Sequence, residues 1–260
     1  NICVTGDFTM SPIRCTQNPT MGEEWRRGWH PERIRPAGSV KNILIVGAGP
    51  AGLEAARALG TRGHKVTLAD ARSEAGGRVA QECRLPGLAA WGRVRDWRLL
   101  QINKLPNVEL YLESEMTPET LAEFGADHIV MATGSSWRRD GVARYHTLPM
   151  AIDADMPVFT PDDLMAGAKP SGHVVIYDDD HYYMGSVLAE LLVQNGNRVT
   201  FVTPSAKVAE WSFNTLEQGL IQSRLLELGV EVRVGVGVGR RPVGGPARVA
   251  DADGEVVQLT

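Results

Sequence analysis

A chain of 260 residues that is 43% hydrophobic and 22% charged has the length for one large or two modest globular domains. Its net charge of −4 argues against nucleic acid or an anionic membrane surface as the main partner, and no apolar run reaches the roughly 18 residues that span a bilayer. Three cysteines, an odd number, make no disulfide framework, so the cytoplasm is the expected compartment.

The first residues, Asn1-Ile2-Cys3-Val4, carry no initiator methionine, no basic stretch and no apolar core of a signal peptide. Residues 1–38 show little helical or strand period. They hold Cys3, Cys15 and an aromatic, charged segment, Glu23-Glu24-Trp25-Arg26-Arg27-Gly28-Trp29-His30. Such a segment needs a cluster, a metal or a neighbouring domain to order it. Zinc on Cys3, Cys15 and His30 would have only three ligands at unhelpful spacing.

The organising stretch is 41–77. A short apolar run, Asn42 to Val46, predicts a strand. Gly47-Ala48-Gly49-Pro50-Ala51-Gly52 follows, then an alanine-rich helical pattern from Leu53 to Leu59 that Gly60 is expected to stop. A second strand, Val66 to Ala69, ends in Asp70, 23 residues after Gly47. Strand, G-x-G-x-x-G turn, helix, strand and acid in that order form a dinucleotide fingerprint. Gly47 permits the tight turn, Gly49 the approach of a pyrophosphate to the backbone, and Gly52 the packing of helix on sheet. The free N–H groups and positive dipole end at the helix start hold the anion. Asp70 can accept from ribose hydroxyls and repels a 2′-phosphate. The expected ligand contains ADP, either as part of a dinucleotide such as FAD or as ADP itself.

Glu74-Ala75-Gly76-Gly77-Arg78 resembles the E-x-G-G-x run of two-dinucleotide-domain flavoproteins, which implies that Gly77 lies near the phosphates and ribose; Arg78 is either a phosphate or adenine-side contact or a solvated surface arginine. Trp91 can stack on adenine or fill core. Residues 96–105 predict a helix and Val108–Leu112 a strand. Thr117 and Pro118 mark a helix start. Ile129 to Met131 read as a buried strand closed by Ala132-Thr133-Gly134, small residues suited to close approach by a ligand.

A proline-rich crossover over 149–171 leads to a second βαβ pattern: strand His173–Tyr177, helix Ser186–Gln194, strand Arg198–Val202. Its turn is Asp178-Asp179-Asp180-His181-Tyr182-Tyr183-Met184-Gly185, where an NAD(P)H-binding turn would be glycine-rich. Each carboxylate close to a phosphate would repel it by on the order of 4 kcal/mol at an effective dielectric near 20. This half is expected not to bind NAD(P)H. A helix over Thr215–Leu228, a strand Val230–Val234, a glycine-valine hairpin over 235–245 and a turn at 251–255 complete the pattern.

The fold class is therefore α/β: two Rossmann-like βαβ units preceded by an irregular segment; the arrangement resembles the FAD/NAD(P)-binding, pyridine nucleotide-disulfide reductase-like type, which implies that the first unit is incomplete. The expected domains are 1–38, 39–158 and 159–260. No motif supplies a catalytic base or nucleophile.

Asn1-Ile2-Cys3, eleven residues, Cys15-Thr16-Gln17-Asn18-Pro19-Thr20, and then Gly22-Glu23-Glu24-Trp25-Arg26-Arg27-Gly28-Trp29-His30-Pro31-Glu32 resemble the trimethylamine/dimethylamine dehydrogenase group. That group includes N-methyl amine and dimethylglycine demethylases. It lies within the 2,4-dienoyl-CoA reductase and old-yellow-enzyme type of flavoproteins. The resemblance implies an FMN-bearing TIM barrel ahead of this chain and a [4Fe–4S] cluster. Cys3 would be its third ligand and Cys15 its fourth, the first two preceding Asn1. It implies a fragment lacking the barrel and the C-terminal end, inactive alone. As a whole protein it would demethylate a small secondary or tertiary amine. Electrons would pass to an electron-transferring flavoprotein or ferredoxin, and a homo-oligomer is expected. Two alternatives stand beside it: an NAD(P)H-dependent enoate or 2,4-dienoyl-CoA reductase fragment, which the Asp178–Asp180 turn opposes, and a non-catalytic ADP-binding module.

Overall fold

The computed structural model describes residues 2–18, 20–23, 25, 32–145, 147–150, 152, 155–237, 249–250 and 256–257. The chain forms two compact units. The first is Pro12–Ser135; the second joins Asn1–Ser11 to Ser136–Thr260. Cys3 therefore falls in the second unit and Cys15 in the first. Ile2–Phe8 is helix α1, packed on a 3-10 turn at Glu210–Thr215. No helical period was legible there, because packing on a partner element stabilises so short a helix more than its own pattern does.

The first unit is a four-stranded parallel sheet flanked by helices. Strand β1 (Asn42–Val46) leads into α2 (Pro50–Thr61) and β2 (Lys65–Ala69). After them come α3 (Arg78–Glu82), α4 (Gly92–Ile102), β3 (Val108–Tyr111), α5 (Pro118–Glu123) and β4 (His128–Met131). The strand order is β3-β2-β1-β4. The apolar runs are buried: Ile45, Leu53 and Leu68 are fully enclosed and pack with Ile43, Val66 and Ile102. Each such side chain contributes about 2 kcal/mol on leaving water.

Pairing register decides where the site lies. Val46 pairs with Ala69 and with Met131, and Ala69 pairs with Tyr111. All four strands thus end level, which brings Gly47, Asp70 and Ala132 to one carboxyl edge, where open α/β sheets bind ligands.

Several expectations are corrected. Gly60 does not stop α2; it lies inside the helix, where a Cβ would collide with the Val108 side chain. Its lack of a side chain serves close helix–sheet packing. The fourth helix starts at Gly92 rather than 96. Strand β4 is an edge strand of this sheet, so Ile129 and Met131 are exposed rather than buried. The expected Thr117 cap is present: its Oγ1 accepts from Thr120 N–H at 3.3 Å, with Pro118 in the first turn.

The Ser136–Thr260 part of the second unit opens with α6 (Pro161–Met165), which the proline-rich composition concealed. A capping box starts it: Thr160 Oγ1 accepts from Asp163 N–H, and Asp163 Oδ2 accepts from Thr160 N–H at 2.6 Å. Then come β5 (His173–Tyr177), α7 (Met184–Gln194), β6 (Arg198–Thr203), α8 (Gln218–Glu227) and β7 (Glu231–Val234). The parallel order is β5-β6-β7. The helix expected over Thr215–Leu228 is broken, since Leu216 adopts a left-handed φ of 59° between the 3-10 turn and α8. Short strands β8 (Val249–Ala250) and β9 (Val256–Val257) pair antiparallel. The glycine-valine hairpin (from 238) and the turn at 251–255 lie outside the described residues.

Candidate nucleotide site

The G-x-G-x-x-G residues meet at the carboxyl edge of the first sheet. Gly47 has φ +102°, and a Cβ there would strike the Ala132 carbonyl. A Cβ on Gly52 would strike the Gly47 carbonyl. These two glycines let the turn fold tightly against the end of β4 and let α2 start directly above it. Gly49 plays a part that spacing alone did not reveal. A Cβ on Gly77 would lie 2.8 Å from the Gly49 Cα, so the two glycines pack backbone to backbone. Gly76 N–H donates to the Ala48 carbonyl at 2.7 Å and binds the two glycine segments together. Gly76 was not among the residues singled out, and the doubled glycine after Glu74 was the available signal.

Gly49 caps α2 with no side-chain hydrogen bond, and Pro50 occupies the first turn. The first helical bond runs from Leu53 N–H to the Gly49 carbonyl at 2.9 Å. Ala51 and Gly52 N–H therefore precede the helical ladder at the positive dipole end, the usual anchor for an anion.

Asp70 is buried, and both its oxygens already accept from the backbone. Oδ2 takes Ala48 N–H at 2.7 Å and Oδ1 takes Arg72 N–H at 2.9 Å. The acid braces the glycine turn. Any ribose hydroxyl would share its remaining lone pairs. Arg78 Nη2 donates to the Ser135 carbonyl at 2.7 Å, tying α3 to the turn Ala132-Thr133-Gly134 that closes β4. Gly134 adopts φ +74° with open space beside it, and Thr133 is exposed. Trp91 is half-buried at the end of a 3-10 turn, Ala89–Trp91. Thus the structure gathers Gly47, Gly49, Pro50, Ala51, Gly52, Asp70, Gly77, Arg78 and Ala132 to Gly134 around one turn.

Cys15 Sγ accepts Asn18 N–H at 3.4 Å, and Cys3 is exposed on α1. Among the described residues no three His, Cys, Asp or Glu side chains group closely enough to hold a metal ion. Arg14 ion-pairs with the buried Glu23. Most of the remaining aromatic, charged segment, Glu24 and 26–30, lies outside the described residues.

The corresponding turn of the second unit is built differently. The Asp178 carboxyl packs on the first turn of α7, and a Cβ on Gly185 would lie 3.1 Å from it. His181 is wholly buried, with Nε2 3.0 Å from Asp179 Oδ1 and Nδ1 3.1 Å from Ser205 Oγ. Tyr145 N–H donates to Asp179 Oδ2 at 2.9 Å, and the Tyr145 ring meets the His181 ring edge-on at 5.3 Å. Burial, with Asp180 and Asp179 beside it, pushes the Asp178 carboxyl up to about 7. The turn closes on itself through side chains and places a carboxyl where a helix start would meet a phosphate. The His181 to Ser205 link could not be read from sequence, because β6 brings together residues 24 apart.

Residues 41–155 match the family described as pyridine nucleotide-disulphide oxidoreductase, and residues 159–240 match the OYE-like second alpha/beta domain. Dimethylamine dehydrogenase of Hyphomicrobium sp. (strain x) is 41% identical over 241 residues, which is 89% of this chain and 33% of that protein. Histamine dehydrogenase from Rhizobium sp. 4-9 is 58% identical with a TM-score of 0.88, over 91% of this chain and 37% of that one. The 6-hydroxypseudooxynicotine amine oxidase of Pseudomonas geniculata N1 is 44% identical with a TM-score of 0.91, over 99% of this chain and 39% of that one. The chain thus spans about a third of the length of the curated relative it matches. Sequence and fold together show that this chain belongs to the trimethylamine/dimethylamine dehydrogenase-like family.

Proposed function

We propose that this chain is the adenine-nucleotide-binding, electron-transfer portion of an oxidoreductase that demethylates a small secondary or tertiary N-methyl amine. The observation that carries this reading is the contrast between an open glycine cradle in the first unit and a carboxyl-filled turn in the second. Similarity to a dimethylamine dehydrogenase and to two further amine-oxidising enzymes supports the amine as substrate. Substrate contacts and FMN would belong to the barrel that the family resemblance implies.

The cradle fits an ADP moiety. Ala51 and Gly52 N–H would hold the pyrophosphate, with the glycine pair Gly49 and Gly77 leaving room for it. Asp70 holds the Gly47–Gly52 turn in shape and has lone pairs left for ribose. Arg78 fastens the Ala132-Thr133-Gly134 turn beside the cradle, and Trp91 offers a surface for adenine. The bound species is FAD or ADP; FAD would supply one- or two-electron transfer there. Among the described residues none around the cradle is placed to move a substrate proton, so that step would belong to the barrel.

Cys3 and Cys15 would be two of four ligands to a [4Fe–4S] cluster. The Asn18 N–H on Cys15 Sγ is the kind of hydrogen bond that tunes such thiolates. Two thiolates alone do not hold a cubane, so the other two would come from elsewhere in the whole protein. An electron-transferring flavoprotein or ferredoxin would take the electrons, in the cytoplasm, with the protein as a homo-oligomer. The filled turn of the second unit leaves NAD(P)H without a seat.

The test is to denature the purified protein, identify the released nucleotide by mass spectrometry and titrate NADPH calorimetrically. One ADP or FAD per chain and no NADPH uptake are expected. Tight NADPH binding would favour the reductase alternative and overturn this reading. Turnover of a methylated amine with a dye acceptor by the 260-residue chain alone would overturn the assignment of chemistry to another domain.

A further inference from the structure

The second unit holds a half-open cavity of about 510 Å³. This is within the range of small-molecule sites. Its walls are mostly apolar, with Met156, Phe159, Leu164, Ile176 and Leu188 prominent, and Asp178, Asp179 and Asp180 stand along one side. Nothing in the nucleotide reading uses it.

The charges around this cavity do not cancel. Three arginines also line it. Arg138 is paired with Asp140 at 2.5 Å, and Arg139 is held by both oxygens of Asp163 at 2.7 and 2.6 Å. Arg144 lies over the Trp211 ring at 4.5 Å and is 3.9 Å from Asp180, a loose contact. Asp179 is satisfied by Tyr145 N–H and His181. That leaves Asp180, partly exposed, and Asp178. Asp178 is only 4% exposed and its Oδ2 has no hydrogen-bond partner. A buried carboxylate oxygen without a donor costs on the order of 1–3 kcal/mol, and more when charged. Burial raises the pKa of both carboxyls, and for Asp178 the neighbouring Asp180 adds to this. Arg144 thus reaches Asp180 only loosely, the buried Asp178 oxygen lacks a donor, and there is room for an apolar body beside the two carboxyls.

We infer that this cavity binds a small organic ammonium, its apolar body against the Met156–Leu188 walls and its charged head between Asp180 and Asp178. A primary ammonium supplies three donors and one positive charge, which answers the orphan oxygen and the carboxylate excess together. A neutral molecule of the same shape would gain the apolar contact alone, and an anion would be repelled.

The probe is 1-adamantylammonium. It is compact and apolar, and its nitrogen-bearing carbon has no hydrogen, so amine oxidation cannot consume it. Its affinity for the purified full chain is measured calorimetrically beside 1-adamantanol and 1-adamantanecarboxylate. The ammonium is expected to bind one to one and at least tenfold tighter than the alcohol, with the carboxylate weakest. Asp180→Asn, at a partly exposed position that keeps the fold, is expected to cut the ammonium's advantage over the alcohol to under threefold. Asp178→Asn should do the same while leaving the alcohol's affinity unchanged. Equal affinities for ammonium and alcohol, no binding of any probe, or ammonium binding that neither variant weakens would overturn the assignment. None of these outcomes bears on the nucleotide cradle, so the two readings fail separately.

Discussion

The two βαβ units share one frame and solve the same local problem in opposite ways. In the first, β1 gives way to a turn without side chains, and Gly49 and Gly77 approach backbone to backbone. Its one acid, Asp70, is turned inward to hold Ala48 N–H. In the second, β5 gives way to three aspartates, and the Asp178 carboxyl packs on the start of α7. A helix start carries a partial positive charge in either case. The first unit leaves that charge for a ligand's anion; the second neutralises it with its own carboxyl. One frame can thus serve as a binding site or as a self-contained scaffold, according to a handful of turn residues.

The largest effect is expected where the first turn has no slack. Gly47→Val would add a branched side chain at φ +102° against the Ala132 carbonyl and should cost at least about 3 kcal/mol. Urea denaturation measures it; an unchanged midpoint would mean that the turn is not as tight as described.

Asp70→Asn comes next. Charge-assisted bonds to Ala48 and Arg72 N–H are lost or weakened, and an amide turned the wrong way opposes one donor with another. A loss of about 2 kcal/mol is expected, together with weaker ADP binding. Calorimetry of ADP on wild type and variant separates the two effects.

The second turn should behave in the opposite sense. Asp178 is raised to about 7 from an ordinary 3.8. Between those values the unfolded chain gives up its proton while the folded protein keeps it, so stability falls as pH rises from about 4 to 7 and is level above. Asp178→Asn removes that fall. It should stabilise the protein by on the order of 2 kcal/mol at pH 8 and by little at pH 4. Thermal melts at the two pH values check the sign, and a variant less stable at pH 8 than wild type would contradict the burial argument.

The smallest effect is expected away from both turns. Thr160→Ala removes half of the capping box of α6 and should cost about 1 kcal/mol without changing nucleotide binding.

The legible part of this protein was the part written in local pattern. The strand-glycine-helix-strand-acid order marked the first cradle, and the level register of β1, β2 and β4 confirms that its parts share one edge. The Asp178–Asp180 turn was recognisable as a departure from a phosphate loop. Gly60 was misread because a glycine in a helical pattern looks like a stop unless the Val108 side chain it accommodates is known. The break at Leu216 was missed because a leucine with positive φ carries no sequence mark. The composition of 149–171 pointed to a crossover and hid α6, although Thr160 and Asp163 already spelled its capping box.

By itself, then, the sequence determined the α/β frame, the family and the location of the glycine turn proposed as a nucleotide cradle, because these follow from chain-local periods, turn chemistry and a specific run of residues. Only the tertiary structure decided what the acids do. Asp70 faces into the glycine turn, His181 bridges Asp179 to Ser205, and Asp178 loses its water beside an apolar cavity. Burial and the partners brought by distant strands set those roles, and neither is encoded in the spacing of neighbouring residues.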